Sequence, residues 1–317
     1  MKYINPGIAE LLDVDGGTTI ESAIYNPMNG VALYQPNAAA GVVTVDRITK
    51  IYGKFDIYIP SPANNTESNS TAAVGVYNSY GFHGVRIVRG GNSYYNFSVI
   101  INGQTDSSKT YYNSDTGIKY DAVNTVSFYI KGRSKAARDG EYTATLNGAQ
   151  IFFVTGYNPW FNDSVEDECK QMVIHSTSDQ MPLSNIILSD APFNLRERIT
   201  PVPLGMPVTD MVDTGNGSYL AESAGQQILQ TVDIASLVSA YGRASRVTGI
   251  AVAGNPAYKT ADGLTSLIGI SKTGDTQMEH GTKALRESTT AGAIDCHAVD
   301  MTLADMTGMQ LGWKAGE

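Results

Sequence analysis

The segment with the clearest binding chemistry is YNPWFND, at positions 157–163. Aromatic rings can pack on the apolar faces of sugars, while amide and carboxylate groups hydrogen-bond to hydroxyls. The segment therefore predicts a glycan-binding site, with the alternative that its aromatic residues only cover a sheet, as tyrosines commonly do. The candidate residues are Tyr157, Asn158, Trp160, Asn162 and Asp163.

A pair of carboxylates, Glu166 and Glu168, offers a second kind of chemistry. On a strand the two would face the same way, as the paired acids of a glycosidase must. Short acidic clusters are more often solvated surface charge, so we expect a surface loop here. No G-x-S-x-G, Walker or G-x-G-x-x-G motif occurs, and we assign no catalytic residue.

Metal sites are poorly supported by the residue spacing. Asp13 and Asp15 open a segment, DVDG, that resembles the start of a calcium loop, but Ile24 stands where an EF-hand requires glutamate. A looser calcium site at the two aspartates stays an open alternative. The histidines lack the spacing of metal ligands, so we predict no cofactor. They are His83, His175, His280 and His297.

Composition excludes several classes of partner. The 317 residues carry a net charge of −9 and contain no cluster of lysine and arginine, which argues against binding to nucleic acid. No apolar run is long enough to span a bilayer, and the N-terminus does not look like a signal peptide. We therefore expect synthesis in a host cytoplasm without membrane insertion.

The elements that must position these residues are mostly strands. Alternating apolar residues recur in 54–60, 95–101 and 126–130, and glycine and tyrosine are abundant. Asn147-Gly148 predicts a type I′ hairpin, and Asn102-Gly103 has the same pattern. Short antiparallel strands joined by tight turns indicate a β-sandwich.

The expected fold class is all-β, with two domains. Residues 1–195 form an antiparallel sandwich of lectin or jelly-roll type, and residues 196–209 form a linker rich in proline. Residues 210–317 form a smaller β-rich domain with one short helix. That helix follows Asp233, ends at Gly242 and carries an apolar stripe of Ile234, Leu237, Val238 and Tyr241.

Residues 42–190 resemble the concanavalin A-like or laminin-G-like lectin sandwich. The resemblance lies in GKFDIYIP at 53–60, TATLNGAQI at 143–151 and LSNIILSD at 183–190. Many members of that family bind glycans, and others only support assembly. The E-x-D-x-x-E strand of the family's glucanases does not occur, so the resemblance does not imply hydrolysis.

The C-terminal part is similar to domains of bacteriophage and prophage structural proteins. The similar segments are QTVD at 230–233, GNPAY at 254–258 and MQLGWK at 309–314. This resemblance implies a non-enzymatic virion protein, in a capsid decoration or a tail, located in the virion. Its partners would be other virion proteins, further copies of itself in a homo-oligomer, and surface glycans.

Two other functions stay open. The first is a bacterial carbohydrate-binding or adhesion protein that is not part of a virion. The second is a glycoside hydrolase or lyase that uses Glu166 and Glu168. A fold of this class hosts many functions, so the sequence does not decide among them.

Overall fold

The chain forms two compact units. The structure is a computed structural model that describes residues 2–5, 7, 18–21, 31–34, 41–48, 50–65, 70–78, 81–89, 94–101, 108–112, 117–131, 140–157, 169–200, 202, 204–215, 217–253, 264–285 and 294–317. One unit is Asn5–Thr200, and the other joins Pro201–Glu317 to Met1–Ile4. Strands dominate the regular structure, which confirms the all-β fold class.

The first unit holds two antiparallel sheets. The chain begins with strand β1 (Lys2–Asn5). The strands of the first unit are β2 (Thr18–Glu21), β3 (Val31–Tyr34), β4 (Gly41–Ile48), β5 (Lys50–Ile59), β6 (Thr71–Asn78), β7 (Gly81–Arg89), β8 (Tyr95–Ile101), β9 (Ser108–Tyr112), β10 (Ala122–Lys131), β11 (Gly140–Leu146), β12 (Ala149–Tyr157), β13 (Cys169–Ser176) and β14 (Leu183–Ser189). Sheet A has the order β12-β11-β10-β5-β14-β3-β2, and sheet B has the order β4-β13-β6-β7-β8-β9.

The two sheets pack against each other as a sandwich. Strand β5 lies against β6, and β10 lies against β7. Because side chains alternate along a strand, one set faces the other sheet and the remaining set forms an outer face. The inward set is almost fully buried and confirms the predicted alternation. It includes Phe55, Ile57, Ile59, Tyr95, Phe97, Val99, Val126, Phe128 and Ile130.

The predicted hairpin at Asn147-Gly148 is confirmed. Both residues have positive φ, 51° and 83°, as a type I′ turn requires. The Asn147 side chain also fixes the neighbouring strand, because its Oδ1 accepts from the amide of Thr125 and its Nδ2 donates to Asn124 Oδ1. The similar pair Asn102-Gly103 lies outside the described residues.

The second unit is built around a five-stranded sheet, sheet C. Its elements are β15 (Leu204–Thr209), β16 (Val212–Gly215), β17 (Ser218–Leu220), β18 (Gln227–Val232), α1 (Ala235–Tyr241), β19 (Arg246–Ala253), β20 (Ser266–Thr273), β21 (Thr276–Ala284), β22 (Ile294–Thr302) and β23 (Gln310–Gly316). Sheet C has the order β15-β18-β23-β20-β21.

Strand β15 occupies part of the segment that the sequence predicted as a linker. Pro207 lies inside this strand, where it pairs with Gln230. Proline is tolerated there because β15 is an edge strand of sheet C, and an edge strand needs only one side of its backbone for pairing. The proline-rich segment that we predicted as a linker therefore also contains an edge strand of sheet C.

The helix predicted after Asp233 is present, and one residue of its predicted apolar stripe is not buried. Asp233 accepts a hydrogen bond from the amide of Ala235, and Gly242 ends the helix with φ of 85°. Leu237 and Val238 pack on a core that contains Leu311 and Trp313. Tyr241 was predicted to share this apolar stripe, but it is 49% exposed because it lies at the last residue of the helix.

Met1–Ile4 belongs to the second unit because its side chains contact β19. The ammonium group of Lys2 donates to Thr248 Oγ1 at 2.8 Å. A Cβ at Gly249 would lie 2.7 Å from Ile4 Cδ1, so glycine makes room for this segment. The contact joins two ends of the chain that the sequence does not connect.

Candidate functional site

The residues predicted as sites fall mostly outside what the structure describes. Tyr157 is the last residue of β12, but its side chain is not described. The other four glycan candidates, Asn158, Trp160, Asn162 and Asp163, lie outside the described residues. The same is true of Asp13, Asp15, Glu166 and Glu168. These assignments therefore stay predictions.

The outer face of sheet B brings together a different set of residues. The register of the strands aligns its outward side chains in rows. These rows are His175, Ala73, Arg86 and Ser98; Val173, Gly75, Gly84 and Ile100; Gln171, Tyr77 and Phe82; and Thr71, Val88 and Asn96. The residues come from β13, β6, β7 and β8, which are adjacent in the sheet but not in the sequence.

The centre of this face is made of very small residues. Ala73, Gly75 and Gly84 are buried, although they do not face the other sheet. A Cβ at Gly75 would lie 2.1 Å from the carbonyl oxygen of His83, so the two backbones approach too closely for a side chain. Larger residues occupy the neighbouring rows of the outer face, and we call this low central part of the face the recess.

Two aromatic side chains border one end of the recess. Tyr77 is 47% exposed and pairs with Phe82 across the neighbouring strands. The Phe82 ring lies over Gly84, because its Cζ is 2.6 Å from where a Cβ of Gly84 would be. Glycine at this position lets the ring lie close to the sheet. The result is an aromatic surface next to the floor of the recess.

Polar side chains border the other end. His175 and Arg86 lie on either side of Ala73, separated by two strand spacings, or about 10 Å. Burial lowers the pKa of His175 below its ordinary value of 6.5, so the imidazole is neutral at neutral pH. Asn96 lies on the adjacent row, beside Ser98 on the same strand.

Three of these polar groups lack partners in the described part of the chain. His175 Nε2 and Asn96 Oδ1 are buried and accept or donate no hydrogen bond there. Arg86 is exposed and makes neither an ion pair nor a side-chain hydrogen bond with a described residue. Buried polar atoms are normally satisfied, so His175 Nε2 and Asn96 Oδ1 are unusual, and the exposed Arg86 is the group of this cluster that a ligand reaches directly.

The outer face of sheet A is different, because its polar groups already bind one another. Lys54 donates to the carbonyl oxygens of Leu195 and Glu197 at 2.6 and 2.7 Å. Its pKa is lowered to about 8, mainly by burial and also by Arg198. The carboxylate of Asp56 accepts hydrogen bonds from Thr125 Oγ1 and from the side-chain amide of Asn185 in β14. These contacts join strands of sheet A to one another and to the segment that follows β14, so these groups already have partners.

Among its described residues, the second unit contains a pair with catalytic chemistry. Ser271 Oγ and His280 Nε2 are 2.8 Å apart, as a nucleophile and its base would be. Ser271 is only 6% exposed, however, and its neighbour across the sheet is the core residue Leu311. This position gives the pair a structural role on the buried side of sheet C.

Sequence reasoning missed the recess because its residues are far apart along the chain. The spacing of the histidines in the sequence predicted no site, but His175 obtains its neighbours from other strands. One local signal was available: Gln171 and His175 alternate with the apolar residues Met172 and Ile174, which are buried inside the sandwich. That pattern indicates outward polar side chains at the centre of a sheet.

The comparisons with known proteins give no family. The sequence matches no protein-family profile, and it matches no curated protein. In the part of the chain that the structure describes, no helix has both the length and the apolar character needed to cross a membrane.

Several solved structures resemble the chain at low similarity. Endo-β-1,4-glucuronan lyase from the fungus Trichoderma reesei is 13% identical, with a TM-score of 0.37, over 59% of this chain and 94% of that one. Alginate lyase vAL-1 from Chlorella virus is 12% identical, with a TM-score of 0.34, over 59% and 90%. Sheep galectin-11 is 12% identical, with a TM-score of 0.28, over 49% and 98%. Similarity at this level assigns no ligand and no activity to this chain.

One expectation from the sequence needs correction. We expected a protein that is not an enzyme, because no catalytic motif could be identified. The structures that the chain resembles include two polysaccharide lyases, so this exclusion is wrong. A missing local motif does not exclude catalysis, since active sites are defined by geometry and not by sequence spacing.

Proposed function

We propose that this protein binds a polysaccharide on the outer face of sheet B. The observation that carries the proposal is the recess itself, which combines the exposed ring of Tyr77 and the partly buried ring of Phe82 with polar groups that have no partner in the described structure. Aromatic rings pack on the apolar faces of sugars. The exposed side chain of Arg86 supplies hydrogen bonds that orient hydroxyl groups.

The test is binding to a panel of neutral and acidic polysaccharides, measured by affinity electrophoresis and titration calorimetry. We expect Tyr77→Ala to weaken binding about tenfold, the loss expected for one aromatic contact. Phe153→Ala is the matched control, because Phe153 is an exposed aromatic residue, at 54%, on the outer face of sheet A. Equal effects of the two variants, or no binding to any polysaccharide, would overturn the proposal.

A second candidate function is cleavage of the bound polysaccharide. The observation that favours it is the neutral imidazole of His175, whose Nε2 has no partner among the described residues and lies in the row of Arg86. A neutral imidazole in a binding recess can accept a proton from a substrate. We expect the wild-type protein to release reducing ends from the polysaccharide. His175→Ala should lose this release and retain binding. Binding without any release of reducing ends would exclude this candidate.

The finer proposal concerns where the protein acts. Its C-terminal similarity to bacteriophage structural proteins supports a virion component, in a capsid decoration or a tail, that displays the glycan-binding face. The second unit would then attach the protein to other virion proteins or to further copies of itself. A defined oligomer in light scattering and recovery of the chain from purified particles are expected. A monomer found only on bacterial surfaces would favour the adhesion protein instead.

A further inference from the structure

The outer face of sheet B has an unusual charge for this protein. The whole chain has a net charge of −9, with 31 acidic residues. Among the described side chains of this face there is no aspartate or glutamate, while Arg86 is exposed. The outer face of sheet A, in contrast, mixes Lys50 and Lys131 with Glu141 in one row. Among the described side chains, the charge of this face is therefore cationic, although the chain as a whole is acidic.

From this charge distribution we infer that the polysaccharide bound in the recess is acidic, and that Arg86 selects it by pairing with a sugar carboxylate. The inference rests on the proposed function and adds the chemical class of the ligand. A guanidinium group pairs with a carboxylate through two parallel hydrogen bonds, which combines charge with a fixed geometry. Arg86 has no described partner, so no existing ion pair must be broken before it binds.

The surroundings of Arg86 suit this role. Its neighbour in the row, Ala73, carries only a methyl group, so no longer side chain stands between Arg86 and His175. On the far side of Ala73, the neutral His175 does not repel a cation or attract a carboxylate strongly. Arg86 is thus the dominant charge of the recess among the described residues. Removing it should change the preference for charge more than it changes contact with the sugar rings.

The experiment compares acidic polysaccharides with uncharged derivatives of the same backbone. Polygalacturonate, alginate and hyaluronan are each measured against their carboxyl-reduced forms by titration calorimetry. We expect at least tenfold tighter binding to one or more of the acidic forms, and weaker binding as the salt concentration rises, because exposed charges are screened. Arg86→Gln should remove the preference, and Arg86→Lys should retain part of it.

Lys50→Gln is the matched control, because it also removes one exposed cation, from the outer face of sheet A. It should leave the preference for the acidic polymers unchanged. Equal binding to acidic and reduced forms, or an intact preference in Arg86→Gln, would overturn this inference. If Tyr77→Ala still weakened binding about tenfold in that case, the proposed function would stand. If neither the acidic nor the neutral polymers bound, the inference and the proposed function would both fail.

Discussion

Arg86 and His175 lie in one row of sheet B, on either side of Ala73. Strand β6 separates the strands that carry them, and Ala73 places only a methyl group between the two polar side chains. The relationship therefore depends on the small side chain of Ala73 as well as on the polar residues themselves. A larger residue at this position would fill the space in which a ligand must contact both.

Ala73→Leu should weaken polysaccharide binding tenfold or more. Ala73 faces outward, so the added atoms enter the recess and not the interior of the sandwich. Binding is measured by titration calorimetry, and folding is checked by circular dichroism. Thr143→Leu adds a leucine to the outer face of sheet A and should leave binding unchanged. Unchanged binding by Ala73→Leu would contradict the position of the recess.

His83 should make the stability of the sandwich depend on pH. Its side chain is fully buried, and burial lowers its pKa from 6.5 to about 4. The unfolded chain therefore binds the proton more readily than the folded protein does. The contribution of the neutral His83 to the free energy of unfolding is complete above pH 6.5 and is lost as the pH falls towards 4. The loss is about 3 kcal/mol over that interval, from the size of the pKa change.

Urea unfolding of the wild type and His83→Met at pH 7 and pH 4 tests this prediction. Both proteins keep the same carboxylates and the same His175, so the difference between their pH dependences isolates His83. We expect the variant to lose about 3 kcal/mol less than the wild type between the two pH values. Identical pH dependences would show that protonation of His83 does not oppose folding.

Lys54 should protect the segment that follows β14 from proteolysis. Its ammonium group donates to the carbonyl oxygens of Leu195 and Glu197 and holds this segment on sheet A. Lys54→Met keeps a similar volume but removes both hydrogen bonds. Trypsin should then cleave after Arg196 and Arg198 several times faster than in the wild type, as followed by mass spectrometry.

Lys50→Met is the control for this experiment, because Lys50 lies on the same strand but is exposed. It also removes one lysine, so general loss of tryptic sites is the same in both variants. Its cleavage after Arg196 and Arg198 should match the wild type. Equal cleavage of Lys54→Met and Lys50→Met would mean that the two hydrogen bonds do not restrain the segment.

Gly312 should be essential for sheet C. A Cβ at this position would lie 1.8 Å from the carbonyl oxygen of Ile228, a backbone atom that cannot move without disturbing β18. We expect Gly312→Ala to lower the free energy of unfolding by about 3 kcal/mol or more. In β15, a Cβ at Gly205 would lie 3.5 Å from Thr231, at ordinary contact distance. Gly205→Ala should therefore change stability by less than about 1 kcal/mol in urea unfolding; similar losses in both variants would contradict the steric explanation.

The sequence alone determined the local features of this protein. The alternation of Tyr95, Phe97 and Val99 predicted a strand with one buried face, and the structure confirms it. Asn147-Gly148 predicted a tight hairpin because these two residues accept positive φ. Such features depend on neighbours within a few residues, so they can be derived without knowing the fold.

The tertiary structure alone decided the recess. Strand β13 pairs with β6 although many residues separate them in the sequence, and this pairing brings His175 into the row of Arg86. A shift of the register by one residue would have turned His175 into the interior. Strand order and register depend on the packing of the whole sandwich, and no local pattern of residues encodes which distant strands become neighbours.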